Sequence, residues 1–194
     1  PYRRQRQMCI RDSTRAMIAK EKGLEPLADL IWLQQIKEPV EGLARAYVSE
    51  EKQVASEAEA VAGARDILAE RISDQADYRS YIRKITMDRG MIASSAKDGE
   101  IQSVYEMYYQ YEELIKRCAG HRILALNRGE KEKVLTVKIQ APEEDIIRYL
   151  EKQVITRNNP FTVPILQETI RDSYDRLIGP AIEREVRSAL TENA

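Results

Sequence analysis

The chain of 194 residues carries 31 Lys or Arg against 32 Asp or Glu, with 43% hydrophobic and 32% charged residues, one His and two Cys. That length allows one domain or two small ones, with an apolar core under a heavily charged helical surface. The want of a long apolar run excludes a membrane-spanning helix, and two cysteines are too few for a disulfide framework.

The first twelve residues stand apart. Arg3-Arg4-Gln5-Arg6-Gln7 is basic and polar, and no apolar core follows it, so no secretory leader is expected and the expected compartment is the cytoplasm. Its composition matches translated adaptor read-through, which places Pro1–Asp12 outside the fold; the rival reading is a natural basic arm that binds nucleic acid.

Thr14–Lys22 reads as a short helix closed by Gly23, since glycine tolerates the positive φ found just past helix ends. Pro26 suits the first turn of a second helix, and Leu27, Leu30 and Ile31 lie on one face of it. Helix, glycine turn, helix is the outline of a helix-turn-helix; it is equally that of a packing hairpin, which is the preferred reading. Val40–Val48 predicts a short third helix. Ser56-Glu57-Ala58-Glu59 is a capping box, and Val61, Ala64, Leu68 and Ile72 follow at helical spacing. Tyr78, Tyr81, Ile82 and Ile85 continue the period in another helix that Gly90 ends.

Val134–Ile139 alternates, with Leu135, Val137 and Ile139 on one face and Thr136 and Lys138 on the other, so it predicts a strand. A lone strand leaves backbone groups unpaired, and Met91–Ser95 is the available partner. An antiparallel two-stranded ribbon is therefore expected, held by helix packing. Pro142 opens a further helix with acidic residues at its start and a stripe of Ile147, Leu150 and Val154. Arg157-Asn158-Asn159-Pro160 is a turn or linker. Pro164 starts the longest periodic run, through Leu166, Ile170, Tyr174, Leu177, Ile178, Ile182, Val186 and Leu190, which Pro180 should kink. Part of that stripe is expected to stay uncovered.

The fold expected is thus mainly α: a multi-helix bundle with a small two-stranded ribbon and a long kinked C-terminal helix. Its divisions fall at residues 1–12 outside the fold, 13–160 helical with the ribbon, and 161–194 the long helix.

Candidate chemistry is sparse. The glycines are scattered singly, so no phosphate loop exists. Cys118 and His121 are spaced i, i+3 with no second His, which is too few ligands for zinc, and nothing marks an acid to orient a catalytic pair. No catalytic residue, metal or cofactor is expected. Tyr105, Tyr108, Tyr109 and Tyr111 can stack bases, but the helical spacing of the first three favours core. The main candidate is a basic stretch: from Lys116 to Lys138 there are seven Lys or Arg against two Glu. Arg122, Arg128, Lys131 and Lys133 would neutralise phosphates there without reading sequence. An ordinary helix face balanced by Glu130 and Glu132 is the alternative.

Four blocks in order carry a resemblance. Thr14–Asp29 holds a basic helix followed by Gly-Leu-Glu-Pro-Leu-Ala. Gly63–Ile72 reads Gly-Ala-Arg-Asp-Ile-Leu-Ala-Glu-Arg-Ile. Ala119–Ile139 holds His121-Arg122, then Arg128-Gly129-Glu130, then the strand. Arg176–Arg187 reads Arg-Leu-Ile-Gly-Pro-Ala-Ile-Glu-Arg-Glu-Val-Arg. The chain resembles the Tex family of bacterial transcription accessory proteins, which are several times longer. It departs from the family where a Glu-Pro would follow the Tyr cluster and where Ala119-Gly120 replaces Pro-Ser. The resemblance implies an internal fragment of the helical N-terminal region, ahead of RNase-H-like, helix-hairpin-helix and S1 domains that would be its partners within the parent protein. It also implies a scaffold that binds RNA or DNA without sequence preference, with Arg15 and Lys20 of the basic helix as further candidates. The alternatives are an adaptor docking the transcription machinery and a helix-turn-helix regulator.

Overall fold

The computed structural model describes residues 14–194, so the segment Pro1–Asp12 lies outside the described residues. The described chain divides into two units: residues 14–75 with Ile147–Leu177, and Ala76–Ile146 with Ile178–Ala194.

In the first unit, α1 (Arg15–Glu21) is capped by Thr14, whose hydroxyl accepts from Met17 N. Gly23, at φ +76°, makes the turn into α2 (Glu25–Leu33), which has Pro26 in its first turn. The pair buries Ala16, Ala19, Leu27, Ala28 and Ile31. α3 (Val40–Ala44) runs into a short 3-10 turn at Arg45–Tyr47, the predicted third helix. α4 (Glu57–Ser73) begins at the predicted capping box: Ser56 Oγ accepts from Glu59 N, and Glu59 reaches back to accept from Ala55 N, one residue beyond the usual partner. Gly63 sits where α4 meets the start of α2, and any Cβ there would overlap Leu24.

α8 (Val163–Ser173) packs against α4, and Ser173 Oγ donates to Ala69 O at 2.6 Å. Two loops of the same unit are knit by buried amides. Gln34, in the left-handed region at φ +57°, donates from Nε2 to Val154 O, while its Oε1 accepts from Thr156 N and Arg157 N. Asn159 Nδ2 donates to Gln34 O and Ile36 O. The predicted turn at 157–160 is therefore a fastened one.

The second unit is built on α5 (Ala76–Arg89), ended by Gly90, where a Cβ would overlap Thr86 O. The sheet follows: β1 (Met91–Ala96), β2 (Gln110–Leu114) and β3 (Leu135–Gln140), in the order β2-β1-β3. The expected antiparallel pairing is present, with Ile92 opposite Ile139 and Ser94 opposite Val137. The expected two-stranded ribbon is corrected to three strands. β1 has two edges to satisfy, and β2 takes the other, with Met91 opposite Leu114 and Ser95 opposite Gln110. The Tyr stripe is correspondingly not a helix: Tyr105 and Tyr108 are buried around a short 3-10 turn, and Tyr111 belongs to β2. Tyr111 meets Tyr108 edge-on at 5.2 Å. Between β2 and β3 lies α6 (Gly120–Lys131).

Two helices connect the units covalently. In α7 (Glu143–Val154) the buried stripe is Ile146, Leu150 and Val154; Ile147 is half-buried, because spacing alone cannot choose between adjacent isoleucines. The C-terminal run is helical throughout, from α8 through a π-helical segment at Tyr174–Ile178 into α9 (Gly179–Glu192). Pro180 has no N–H for the carbonyl of Arg176 and its ring crowds that group, so the ladder widens just before the Gly179-Pro180 step. The expectation of an uncovered stripe is corrected. Leu166, Ile170, Ile178, Ile182 and Val186 are all buried, and only Leu177 and Leu190 are half-exposed. The helices and the sheet of each unit suffice to cover it.

Candidate nucleic-acid interface

The basic stretch begins where β2 ends. A 3-10 turn at Ile115–Arg117 leads to Ala119, which caps α6 through its extended backbone without a side-chain bond. Ile123, Leu126 and Gly129 face the core at successive i+3 steps. Gly129 is required by packing, since a Cβ there would overlap Leu135.

α6 ends in a Schellman motif. Val134 N donates to Gly129 O at 2.9 Å and Lys133 N to Glu130 O at 3.0 Å, with Lys133 in the left-handed position at φ +63°. Glycine is the common residue there, so Lys133 bears a conformational cost that its own side chain does not offset.

The cations of this stretch fall into two groups. Arg122 is committed: Nε and Nη2 donate to the Glu113 carboxylate at 3.0 and 2.8 Å, and Nη2 also reaches Arg117 O. The Tyr111 hydroxyl donates to the same carboxylate. Burial pushes the Glu113 carboxyl up, but the bonds from Tyr111 and Arg122 outweigh it and hold the group below its ordinary range. Burial and the Glu113 charge together raise the Cys118 thiol, which marks it as an unreactive cysteine. Arg128, Lys131 and Lys133 are exposed, as is His121.

The two carboxylates of the stretch differ. Glu130 takes a forked bond from Arg187, at 2.7 and 3.3 Å, and Arg187 also reaches Asn127 Oδ1 and Val137 O. Glu132 is exposed and close enough to Tyr105 to push its phenol up. In the first unit, Arg15 and Lys20 are exposed on α1, and Arg15 is near enough to Asp66 to bear on its charge.

The remaining blocks noted in the sequence are spent on packing and pairing. Within Gly63–Ile72, Ala64, Ile67, Leu68, Ala69 and Ile72 are core. Arg65 pairs with Glu168 at 3.4 Å, and Arg71 donates to Asp29 at 2.7 Å while lying over the Trp32 ring. Asp66 lies 3.9 Å from Arg176, and burial raises its carboxyl despite that cation. Within Ile182–Arg187, Ile182 and Val186 are core, and Glu183 accepts from Ile139 N on the outer edge of β3. Glu185 takes Arg79 and Arg83 at 3.0 and 2.8 Å. Sequence reasoning missed Glu113, Tyr105 and Arg187 as partners of the basic stretch. Only Glu113 left a signal, a carboxylate nine residues before Arg122; Tyr105 is uncharged, and Arg187 is a cation 57 residues from the Glu130 it pairs with.

Among the described residues, no group of three or more His, Cys, Asp or Glu is placed to hold a metal ion. No helix among them is long and apolar enough to cross a membrane.

A family model described as Tex central region-like matches residues 35–194. The chain is 49% identical to the YdcI protein of Bacillus subtilis over 197 residues, which covers 100% of this chain and 27% of that protein. It is 30% identical to the transcriptional accessory protein Tex of Neisseria gonorrhoeae, covering 93% of this chain and 24% of that one. It is also 30% identical to the human S1 RNA-binding domain-containing protein 1, covering 93% of this chain and 19% of that one. The chain thus spans about a quarter or less of the length of these relatives. With its central-region match extending over most of its length, the chain belongs to the Tex family.

Proposed function

We propose that this segment serves a transcription accessory protein as a helical scaffold that also contributes a sequence-independent phosphate contact. The contact is carried by Arg128, Lys131 and Lys133. One observation supports it above the others. Glu130, the carboxylate inside the row, is taken by the Arg187 guanidinium, which leaves Glu132 as the one acid beside the three cations. The row therefore presents three exposed cations against the one exposed carboxylate of Glu132, and such an excess favours a polyanion.

Arg122 is assigned to positioning, since its guanidinium is spent on Glu113. Arg15 and Lys20 form a second, smaller candidate on α1. Arg128, Lys131 and Lys133 sit at or just past the C-terminal end of α6, whereas a recognition helix reads base edges from its N-terminal residues, so the reading here is phosphate contact without base readout. In the same reading the segment precedes the RNase-H-like domain, works in the cytoplasm and performs no covalent chemistry. The names of the relatives, a transcriptional accessory protein and an S1 RNA-binding domain-containing protein, fit that setting.

The test is affinity for unrelated RNA and DNA oligomers across a salt series. Replacing Arg128, Lys131 and Lys133 with Gln should weaken all of them alike. It should also flatten the log–log salt slope by about 2 to 3 units, from about 0.7 per contact on single strands to about 0.9 on duplex. Unchanged binding in the triple variant, or binding only to a protein partner, would replace this reading with an adaptor role.

A further inference from the structure

A cleft of about 740 Å³ opens in the first unit between the loop after α2 and the loop after α7. Its lining is Gln34, Gln35, Ile36 and Lys37 on one side and Arg157 to Phe161 on the other. This volume falls in the range of about 300–1,000 Å³ usual for ligand sites.

Three features of the lining stand together. The first is charge. Lys37 and Arg157 are exposed and make no ion pair among the described residues, and no lining residue is acidic. Glu38, next in sequence, is turned back over α3, its Oε1 3.8 Å from where a Gly42 Cβ would stand. The second is hydrogen-bonding capacity. The side-chain amides of Gln35 and Asn158 are exposed and have no bond among the described residues. Each offers both a donor and an acceptor.

The third is rigidity. Gln34 is 3% exposed, and its amide holds Val154, Thr156 and Arg157, while Asn159 holds Gln34 and Ile36. Five hydrogen bonds thus fix the two walls before any ligand arrives, which lowers the ordering cost of binding. Phe161, the one Phe of the chain, is half-buried at the cleft beside Pro160, with its backbone N donating to Asn159 Oδ1.

We infer that this cleft is a binding site for a short run of single-stranded nucleic acid. It rests on the reading that the chain meets nucleic acid, and adds a site distinct in sequence and in unit from the α6 row. Lys37 and Arg157 take phosphates of the strand. Gln35 and Asn158 meet base edges, and Phe161 with Pro160 offers a face on which a base stacks. A duplex keeps its Watson–Crick edges paired and its bases stacked on one another, so it offers no free pairing edge to the amides and no base face to Phe161. A single strand uses cations, amides and ring together. An acidic peptide would satisfy the cations and, through its backbone, the amides, but its carboxylates offer no planar face to the ring.

The experiment uses the full chain and three fluorescent probes: a twelve-nucleotide oligouridylate, a twelve-base-pair duplex and polyglutamate. The variants are Lys37→Gln with Arg157→Gln, Phe161→Leu, and the triple replacement on α6. The cleft double variant should lose oligouridylate affinity and flatten its salt slope by about 1.4 units, two contacts at about 0.7 each. Phe161→Leu should weaken oligouridylate binding by roughly five- to a hundredfold, the range for one stacked base, and leave duplex binding unchanged. Thermal melts of all variants check that the fold is kept. If oligouridylate binds the cleft variants as it binds the wild type, and only the α6 variant fails, the cleft assignment falls and the general reading stands. If the wild type binds neither oligonucleotide, both fall. If polyglutamate binds as well as oligouridylate and is equally lost in the cleft variants, the ligand class is overturned.

Discussion

The α6 stretch of the second unit and the paired loops of the first both carry cations, but the two use them differently. Around α6, positive charge is dense in sequence, yet Arg122 is held by Glu113 and the stretch also carries Glu130 and Glu132, which face Arg187 and Tyr105. In the loops, only Lys37 and Arg157 are present, 120 residues apart, and neither has a partner among the described residues. Charge density along a chain thus says little about which charges are free. What decides is whether the fold brings an acid to the same place.

The sharpest way to break the α6 side of this comparison is to disturb its packing. Gly129→Val should destabilise the second unit by about 3 kcal/mol, because the new side chain has to displace Leu135 from the core. Unfolding of the variant, followed by hydrogen exchange resolved to α6 and β3, should show the loss there. A variant as stable as the wild type would mean that Leu135 can move aside at no cost.

Next in size is the ion pair. Glu113→Gln leaves Arg122 half-buried without its carboxylate and should cost about 1.5–3 kcal/mol. Glu113 also sets a pH response. Its folded carboxyl lies below the ordinary value of 4.5, so its stabilisation is complete above that pH and is lost as pH falls through the lower folded value. Asp66 in the first unit behaves oppositely. Burial raises its carboxyl above 3.8, so the stability it contributes is complete below that pH and lost as pH rises through the folded value. Acid below pH 4.5 should therefore weaken amide protection in β2 and α6 before α4. Equal loss in both units, or no change in the acid response of Glu113→Gln, would contradict the assignment.

Cutting the fastening of the loops comes third. Asn159→Ala removes the donor to two half-buried carbonyls, Gln34 O and Ile36 O, and should cost about 1–2 kcal/mol. If the loops are held as described, Trp32 fluorescence should report the change, because Gln34 also donates to Trp32 O. Identical emission and melting would show that the cleft walls are held by something else.

These effects mark what was legible in the sequence. The pairing of β1 with β3 followed from alternation in 135–139 and from the need of a strand for a partner. β2 was hidden because its inward face carries Glu113 beside Tyr111, so no apolar alternation shows. Only its cation, nine residues on in Arg122, makes that face tolerable. The capping box, the glycine stops and the interruption near Pro180 were local signals and were legible. Coverage of the long stripe depended on which helices fold back on it, a property of topology with no local trace. At the candidate sites the basic run was visible and its partners were not, and the cleft had no signal at all, because Lys37 and Arg157 meet only through Gln34 and Asn159.

The smallest stability effects belong to the exposed row, and they separate its cations from Arg122. Arg128→Gln and Lys131→Gln touch no partner in the core and should each change stability by no more than about 0.5 kcal/mol. Lys133→Gly should raise it by about 0.4–1 kcal/mol, since glycine accepts the left-handed turn that lysine holds at φ +63°. Partial loss through a more flexible unfolded chain keeps that gain at the lower end. The same Lys133→Gly variant should weaken oligonucleotide binding and lower the salt slope by one contact, about 0.7 on a single strand. Stability and binding would then move in opposite directions at one residue, which is what a side chain retained for its charge at a backbone cost predicts. If Lys133→Gly is stabilised and binds as before, the lysine is an accident of the turn and the row shrinks to Arg128 and Lys131. If it is destabilised, Lys133 has an interaction that its exposure does not reveal, and the division between free and committed cations around α6 has to be redrawn.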